Sequence, residues 1–201
     1  MSMKKILLSL LALIAFAANA QNILIDKTEK DGYRYVCTDF EPCRNFSDKI
    51  FLLTGMSVFT DQDIYTSYSI EFKLNTAADP AEEFSINEGA KILIRTGDDT
   101  VLELTSNNSD KDDLGHIVTG GSYPFNMKTI CFSANISNED LVHLFSGILK
   151  FRCEINSIKA ETGYFETSFK KAKNAKYFIE CTKLLKKAIS EKRSSSITEG
   201  F

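Results

Sequence analysis

The chain has no tryptophan, only two histidines, and five cysteines, no two of which form a closely spaced pair. The nearest two, Cys37 and Cys43, have five residues between them, and His116 and His143 stand alone. A zinc site needs clustered ligands, such as C-x2-C followed by a second pair, so the spacing argues against zinc. No G-x-S-x-G turn occurs. His143 lies between Val142 and Leu144 in a short helical pattern, and His116 follows Gly115 in a loop. Neither is near a nucleophile turn. A Ser or Cys nucleophile needs a base in reach and an orienting group, and no such grouping is legible. After residue 20 no apolar run approaches the roughly 20 residues of a membrane-spanning helix. There is no internal repeat and no interdomain linker.

The first 20 residues have a character of their own. Lys4 and Lys5 precede an apolar stretch from Ile6 to Ala18, and Ala18-Asn19-Ala20 supplies small residues where a signal peptidase reads. This is the layout of a cleavable secretory signal, so residues 1–20 are predicted to be removed and the working chain to begin at Gln21. No cysteine follows the cleavage site, which argues against a lipid anchor. The remaining 181 residues carry 22 basic and 27 acidic side chains, a net charge of −5. That length suits a single domain with a full core. Residues 21–193 are read as one β-rich domain and 194–201 as a disordered polar tail, beginning at Ser194-Ser195-Ser196.

Alternation with period two dominates. Tyr68, Ile70, Phe72 and Leu74 alternate with Ser67, Ser69, Glu71 and Lys73, so one face is apolar and the other wet. Leu149, Phe151, Cys153 and Ile155 repeat the pattern, as do Ile130, Phe132, Ala134 and Ile136. The apolar runs 91–95 and 101–104 flank Gly97-Asp98-Asp99 and predict a hairpin. Ile50 to Phe59 is another predicted strand, in which Gly55 suggests a bulge, and Tyr164 to Phe169 is a late one. Asn75–Glu83 and Ser106–Gly121 are the longest predicted loops.

Two helices are predicted. Ser137 caps the first, with acids in its first turn and Gly147 to end it. The second runs from about Asn174 to Glu191, with Phe178, Cys181, Leu185 and Ala188 in one stripe and lysines over the rest. One wet face per strand points to antiparallel sheets. The fold class is therefore mainly β with a C-terminal helix (α+β): an antiparallel β-sandwich or barrel-like core with one short and one longer helix.

Export places all five cysteines in an oxidising compartment, and their odd number leaves at least one thiol free or paired between chains. Cys37 and Cys43 are the predicted disulfide, because a five-residue spacer holding Pro42 can curl until the Cα atoms lie within about 7 Å. Closing so short a loop would stabilise by about 2–3 kcal/mol. Cys153 lies on an apolar strand face, as a buried thiol or half of a disulfide would.

The acid pairs Glu82-Glu83, Asp98-Asp99 and Asp112-Asp113 are neighbours on loops, where side chains diverge. Glycosidase chemistry needs two carboxyls facing across a cleft. Asn107 to Asp113 is dense in oxygen ligands, but an EF-hand register starting at Asp110 puts Gly121 where a bidentate Glu is required. That leaves a looser surface calcium site as the alternative to a solvated loop. No catalytic, cofactor or metal residue is assigned, and no cofactor is expected.

Charge is uneven. Asp61 to Asp113 carries 13 acids and four bases, and Lys170 to Arg193 nine bases and two acids. The basic helix is read as packing its stripe on a sheet with its lysines in water. Neither nucleic-acid binding nor stable membrane insertion is expected of it.

The stretches "GAKILIRTGDDTVLEL" (residues 89–104), "SNEDLVHLF" (137–145) and "GILKFRCEI" (147–155) resemble small exported bacterial proteins of unknown function, over roughly residues 65–190. The resemblance implies a sandwich-like β domain with a helix, and it carries over no functional residue. The function expected is that of an exported, periplasmic or extracellular, non-catalytic binding module with a protein or glycan partner. The alternatives are a hydrolase acting on an envelope or extracellular polymer, and an inhibitor or accessory factor that adds a strand or loop to a partner. A cleft in which two acids converge, or His116 with an acid and a hydroxyl, would favour the hydrolase.

Overall fold

The computed structural model describes residues 22–28, 33–43, 50–61, 65–77, 84–111, 117–119, 124–157 and 163–198. The predicted signal segment 1–20, Gln21, His116, Asp112-Asp113 and Glu82-Glu83 lie outside them.

The longest strands carry the clearest alternation. β4 (Ile50–Asp61) and β5 (Tyr65–Ala77) pair antiparallel without a break, from Ile50 opposite Thr76 to Asp61 opposite Tyr65. Gly55 therefore sits in an unbroken ladder, not in the bulge its position suggests. A Cβ there would lie 3.2 Å from the ring of Phe40, so the missing side chain makes room for an aromatic ring. β5 pairs on its other side with β11 (Pro124–Ile136).

The sheet is extended by strands that the alternation does not announce. β2 (Tyr33–Thr38) and β3 (Glu41–Cys43) lie one after the other along the same edge of β4, and β1 (Ile23–Thr28) pairs with β2. The final order is β1-β2-β4-β5-β11-β10, with β3 also on β4 and β10 spanning Ile117–Thr119. A second antiparallel sheet has the order β14-β12-β7-β8, from Tyr164–Lys173, Ile148–Glu154, Lys91–Thr96 and Val101–Thr105. The predicted 91–104 hairpin is its β7–β8 pair. A small third sheet joins β13 (Asn156–Ser157), β6 (Phe84–Ile86) and β9 (Asp110–Lys111). β9 and β10 fall within the predicted Ser106–Gly121 loop.

The apolar faces of the two larger sheets meet. Phe72 of β5 stacks on Phe132 of β11 at 5.0 Å and tilts against Phe151 of β12 at 5.2 Å. All three rings are buried. Each is worth about 1.5–3 kcal/mol in transfer from water, and each ring pair about 0.5–1.5 kcal/mol beyond that. In β12 a register shift between Ile148 and Lys150 moves Leu149 off the inner face. Ile148 takes its place in the core, ahead of Phe151 and Cys153.

Helix α1 (Asn138–Leu144) begins as its sequence predicts. The Ser137 hydroxyl accepts from the Asp140 amide at 3.0 Å, and Gly147, with φ of +84°, closes the helix through a bond from its amide to Leu144 O. Helix α2 (Ala175–Thr198) covers the inner side of β2 and β4 with Phe178, Cys181 and Leu185, all fully buried. Asn174 adopts φ of +62°, which Asn tolerates better than most residues. Its amide reaches Glu41 O at 3.2 Å, Cys43 Sγ at 3.0 Å and Thr54 Oγ1 at 3.0 Å. The Tyr177 hydroxyl donates to Asp39 O, and Arg34 reaches Ala188 O at 2.9 Å. Past Glu191 the backbone stays helical through Ser194-Ser195-Ser196 to Thr198, where a disordered tail is the sequence expectation. The stretch holds no Gly or Pro before Gly200 to end it.

Leu185→Ala is expected to destabilise by about 2–5 kcal/mol, the range for a buried leucine. Lys183→Ala, on the exposed side, should shift stability by less than about 0.5 kcal/mol. Thermal or urea unfolding measures both, and equal small effects would mean that the helix is not docked.

Candidate functional site

The outer face of the large sheet is built by the positions that alternate with the core. Reading across β2, β4, β5 and β11, the register places Cys37, Ser57, Ser69 and Asn135 in one row. The next row holds Gly55, Glu71 and Ser133. Glu71 is the centre of this face. Its Oε1 accepts from the Tyr35 hydroxyl at 3.1 Å and from the Ser57 hydroxyl at 2.5 Å. Among the described residues its Oε2 has no partner. Burial holds the Glu71 carboxyl above its ordinary pKa, opposed by the hydrogen bonds from Ser57 and Tyr35. Two residues along β5, Lys73 lies over the Phe40 ring at 4.5 Å. On the other flank Tyr33 and Phe59 stack at 5.3 Å and 21°, and Phe59 is 38% exposed. The Ser69 hydroxyl donates to Asn135 Oδ1 at 2.9 Å, which the Asn107 amide also reaches at 3.0 Å.

The predicted Cys37–Cys43 disulfide is not formed, and all five thiols are free. Cys37 lies opposite Ser57 and Cys43 opposite Leu52. Five residues of extended β4 separate those partners, about 17 Å, whereas a disulfide needs Cα atoms within about 7 Å. The chain runs on along one edge instead of curling. The two side chains also serve different faces: Cys43 belongs to the core cluster, and Cys37 belongs to the outer row. Burial pushes the thiol of Cys37 up to about 11 and that of Cys43 up to about 12. Burial raises Cys131, Cys153 and Cys181 as well. A thiolate is the nucleophilic form, so none of the five thiols is activated.

In the described part of the oxygen-rich run after β8, Asn107, Asn108 and Asp110 bond to the backbone of β11. Asn108 Oδ1 accepts from the Ser133 amide at 3.0 Å and Asn108 Nδ2 donates to Cys131 O at 3.2 Å. Asp110 Oδ2 accepts from the Cys131 amide at 2.5 Å, and the Asn107 amide donates to Ser133 O at 2.8 Å. These groups stand in for a neighbouring strand along β11. Among the described residues no group of three or more His, Cys, Asp or Glu side chains is arranged to hold a metal.

His143 finds an acid, but not as a triad does. Its Nδ1 meets Asp98 Oδ2 at 2.8 Å and Thr100 Oγ1 at 3.2 Å, while Asp98 Oδ1 accepts from the Thr96 hydroxyl at 2.5 Å. Asp98 is held well below the usual carboxylate range, chiefly by the Thr96 hydroxyl and then by His143, and the Asp98 bond raises His143. The hydroxyl and the acid meet the same ring nitrogen, so this hydroxyl is not placed as a nucleophile for a base at the other nitrogen. The Asp98 amide donates to Ser146 Oγ at 3.1 Å, so the cluster fastens the β7–β8 turn to α1.

A polar cleft of about 400 Å³ opens between the turn before β7 and the end of β12. Glu88 and Glu154 both line it, with Asn87, Asn156, Gly89 and Gly163. Glu154 Oε2 accepts from the Lys91 amide at 2.9 Å.

No protein-family model matches the chain, and no curated protein or solved structure matches it either.

Two outcomes test this description. Under denaturing, non-reducing alkylation five adducts should form, whereas the native protein should react first at Cys131, the one exposed thiol; a residual disulfide would show as a missing pair of adducts. Glu71→Gln should raise the melting temperature at neutral pH. A carboxyl whose pKa rises on folding favours the native state while it is protonated, and loses that contribution as pH climbs through the folded value. The gain should shrink as pH falls below the unfolded carboxyl value of about 4.3, and a gain independent of pH would contradict the burial of Glu71.

Proposed function

We propose that this chain is an exported, non-catalytic binding module and that the outer face of the large sheet is its binding surface. The N-terminal pattern of Lys4-Lys5, an apolar stretch and Ala18-Asn19-Ala20 supports export. The observation that carries the binding reading is Glu71: a half-buried carboxyl fixed by Tyr35 and Ser57, with a second oxygen left without a partner among the described residues. A rigid sheet holds such a group in place at little entropic cost on binding. Phe59, exposed and stacked on the half-buried Tyr33, adds apolar contact area on the same face.

A hydrolase of an envelope or extracellular polymer is the second reading, favoured by one observation: Glu88 and Glu154 line the same cleft. Hydrolysis across it would require one of these acids to donate a proton and the other to attack or activate water. Glu154 is tied by one oxygen to the Lys91 amide, an anchoring that suits a structural carboxylate.

Two measurements check the proposal. The intact mass of the exported protein should begin at Gln21, and a mass that keeps residues 1–20 would remove the export half. Isotope-labelled protein titrated with solubilised envelope polymer should show amide shifts confined to β2, β4, β5 and β11. Shifts at Asn87–Ala90 and Glu154–Asn156 together with release of new polymer ends would overturn it in favour of the hydrolase.

A further inference from the structure

The outer face has a composition that narrows its ligand. From β2 to β11 it spans three interstrand gaps, about 14 Å. Along it lie an aromatic stack at Tyr33 and Phe59, the hydroxyls of Tyr35 and Ser69, and the Glu71 carboxyl, with Ser57 buried beneath that carboxyl. Among the hydrogen-bonding groups of this face without a partner among the described residues are the acceptor Glu71 Oε2 and the donor Asn135 Nδ2. They sit on diagonal positions of adjacent strands, since Glu71 opposes Ser133 and Asn135 opposes Ser69. Diagonal neighbours are about 7–8 Å apart, close enough for one ligand to meet both. A ligand that satisfies both must donate and accept, as hydroxyl groups do.

Charge narrows the choice further. Glu71 and Lys73 follow one another on the same face of β5, and Lys27 of β1 lies opposite Tyr35 while Asp61 of β4 lies opposite Tyr33. Acid and base alternate, so the face offers no field of one sign to a polyanion or a polycation. An ionised Glu71 repels an anion, and Lys73 two residues along the same strand face repels a cation. The exposed Phe59 ring offers a flat apolar surface of the kind that covers a ring of C–H groups.

We propose that the outer face of the large sheet binds a neutral, hydroxyl-rich glycan chain laid across β2, β4, β5 and β11, with Phe59 under one sugar ring and Glu71 and Asn135 taking hydroxyls of the next. This rests on the reading of that face as the binding surface. The glycan chain supplies what the face lacks: donors for Oε2, acceptors for Nδ2 and an apolar ring face for Phe59.

The test is a calorimetric and amide-shift titration of the full mature chain with neutral hexasaccharides of β-1,4-linked glucose, β-1,4-linked N-acetylglucosamine and α-1,4-linked glucose. A hexalysine and a hexaglutamate peptide serve as charged probes. The expected result is that at least one hexasaccharide shifts amides of β2, β4, β5 and β11, and that Phe59→Ala and Glu71→Gln each weaken it about tenfold or more, as loss of one good contact does. Lys183→Ala, on the helix across the sheet, should bind with unchanged affinity. Phe59 is exposed and Gln preserves the shape of Glu71, so both variants are expected to fold, which their melting curves verify. If no hexasaccharide binds up to millimolar concentration, the glycan assignment is overturned. If a charged peptide then shifts the same amides and is sensitive to both variants, the face remains the binding surface. Hexasaccharide binding that both variants leave intact, or that maps to the Glu88–Glu154 cleft, overturns the surface itself.

Discussion

The register of β4 against β5 sets what faces inward and what faces out. Twelve residues of β4 pair without interruption, so every position on either strand has a fixed side. A slip of one residue would carry Phe72 to the surface and Glu71 into the core, because side chains alternate with period two. The core contact of Phe72 with Phe151 and the outer contact of Glu71 with Tyr35 and Ser57 are two consequences of one alignment. Gly55 shows how tightly that alignment is specified: it stays in register, and its missing side chain leaves room for Phe40. The same ring then receives Lys73, so the side of the sheet away from the core is itself packed.

Helix α2 depends on the same edge. β2 and β3 form one extended line along β4, and the helix ties that line down from the inner side through Asn174 and Tyr177. Its apolar stripe is spent on the sheet, which leaves Lys183, Lys186 and Lys187 in water. No helix among the described residues is long and apolar enough to cross a membrane.

Much of this architecture was legible. β5, β7, β8 and the inner half of β11 alternate cleanly because one face is buried and the other wet, and the Ser137 cap of α1 has an unambiguous signature. β1, β2 and β3 were not legible, because Tyr33, Tyr35 and Cys37 on one side and Val36 and Thr38 on the other leave no purely polar face to read. The Cys37–Cys43 pairing failed for the same reason: without those strands a short spacer reads as a turn, when it is extended chain. Glu71 could be placed on the outward face from the sequence alone. Its role could not, since Ser57 and Tyr35 lie 14 and 36 residues away and only the sheet brings them to it.

The loop that covers β11 does so with side-chain amides in place of a strand. Its grip depends on Asn108 being an amide: one end accepts from the Ser133 amide and the other donates to the Cys131 carbonyl. Hydrolytic deamidation of Asn108 would replace that donor with a carboxylate oxygen and set it, negatively charged, against the carbonyl it now holds. Two acceptors would then face each other, and the cover would lose its hold on the strand edge.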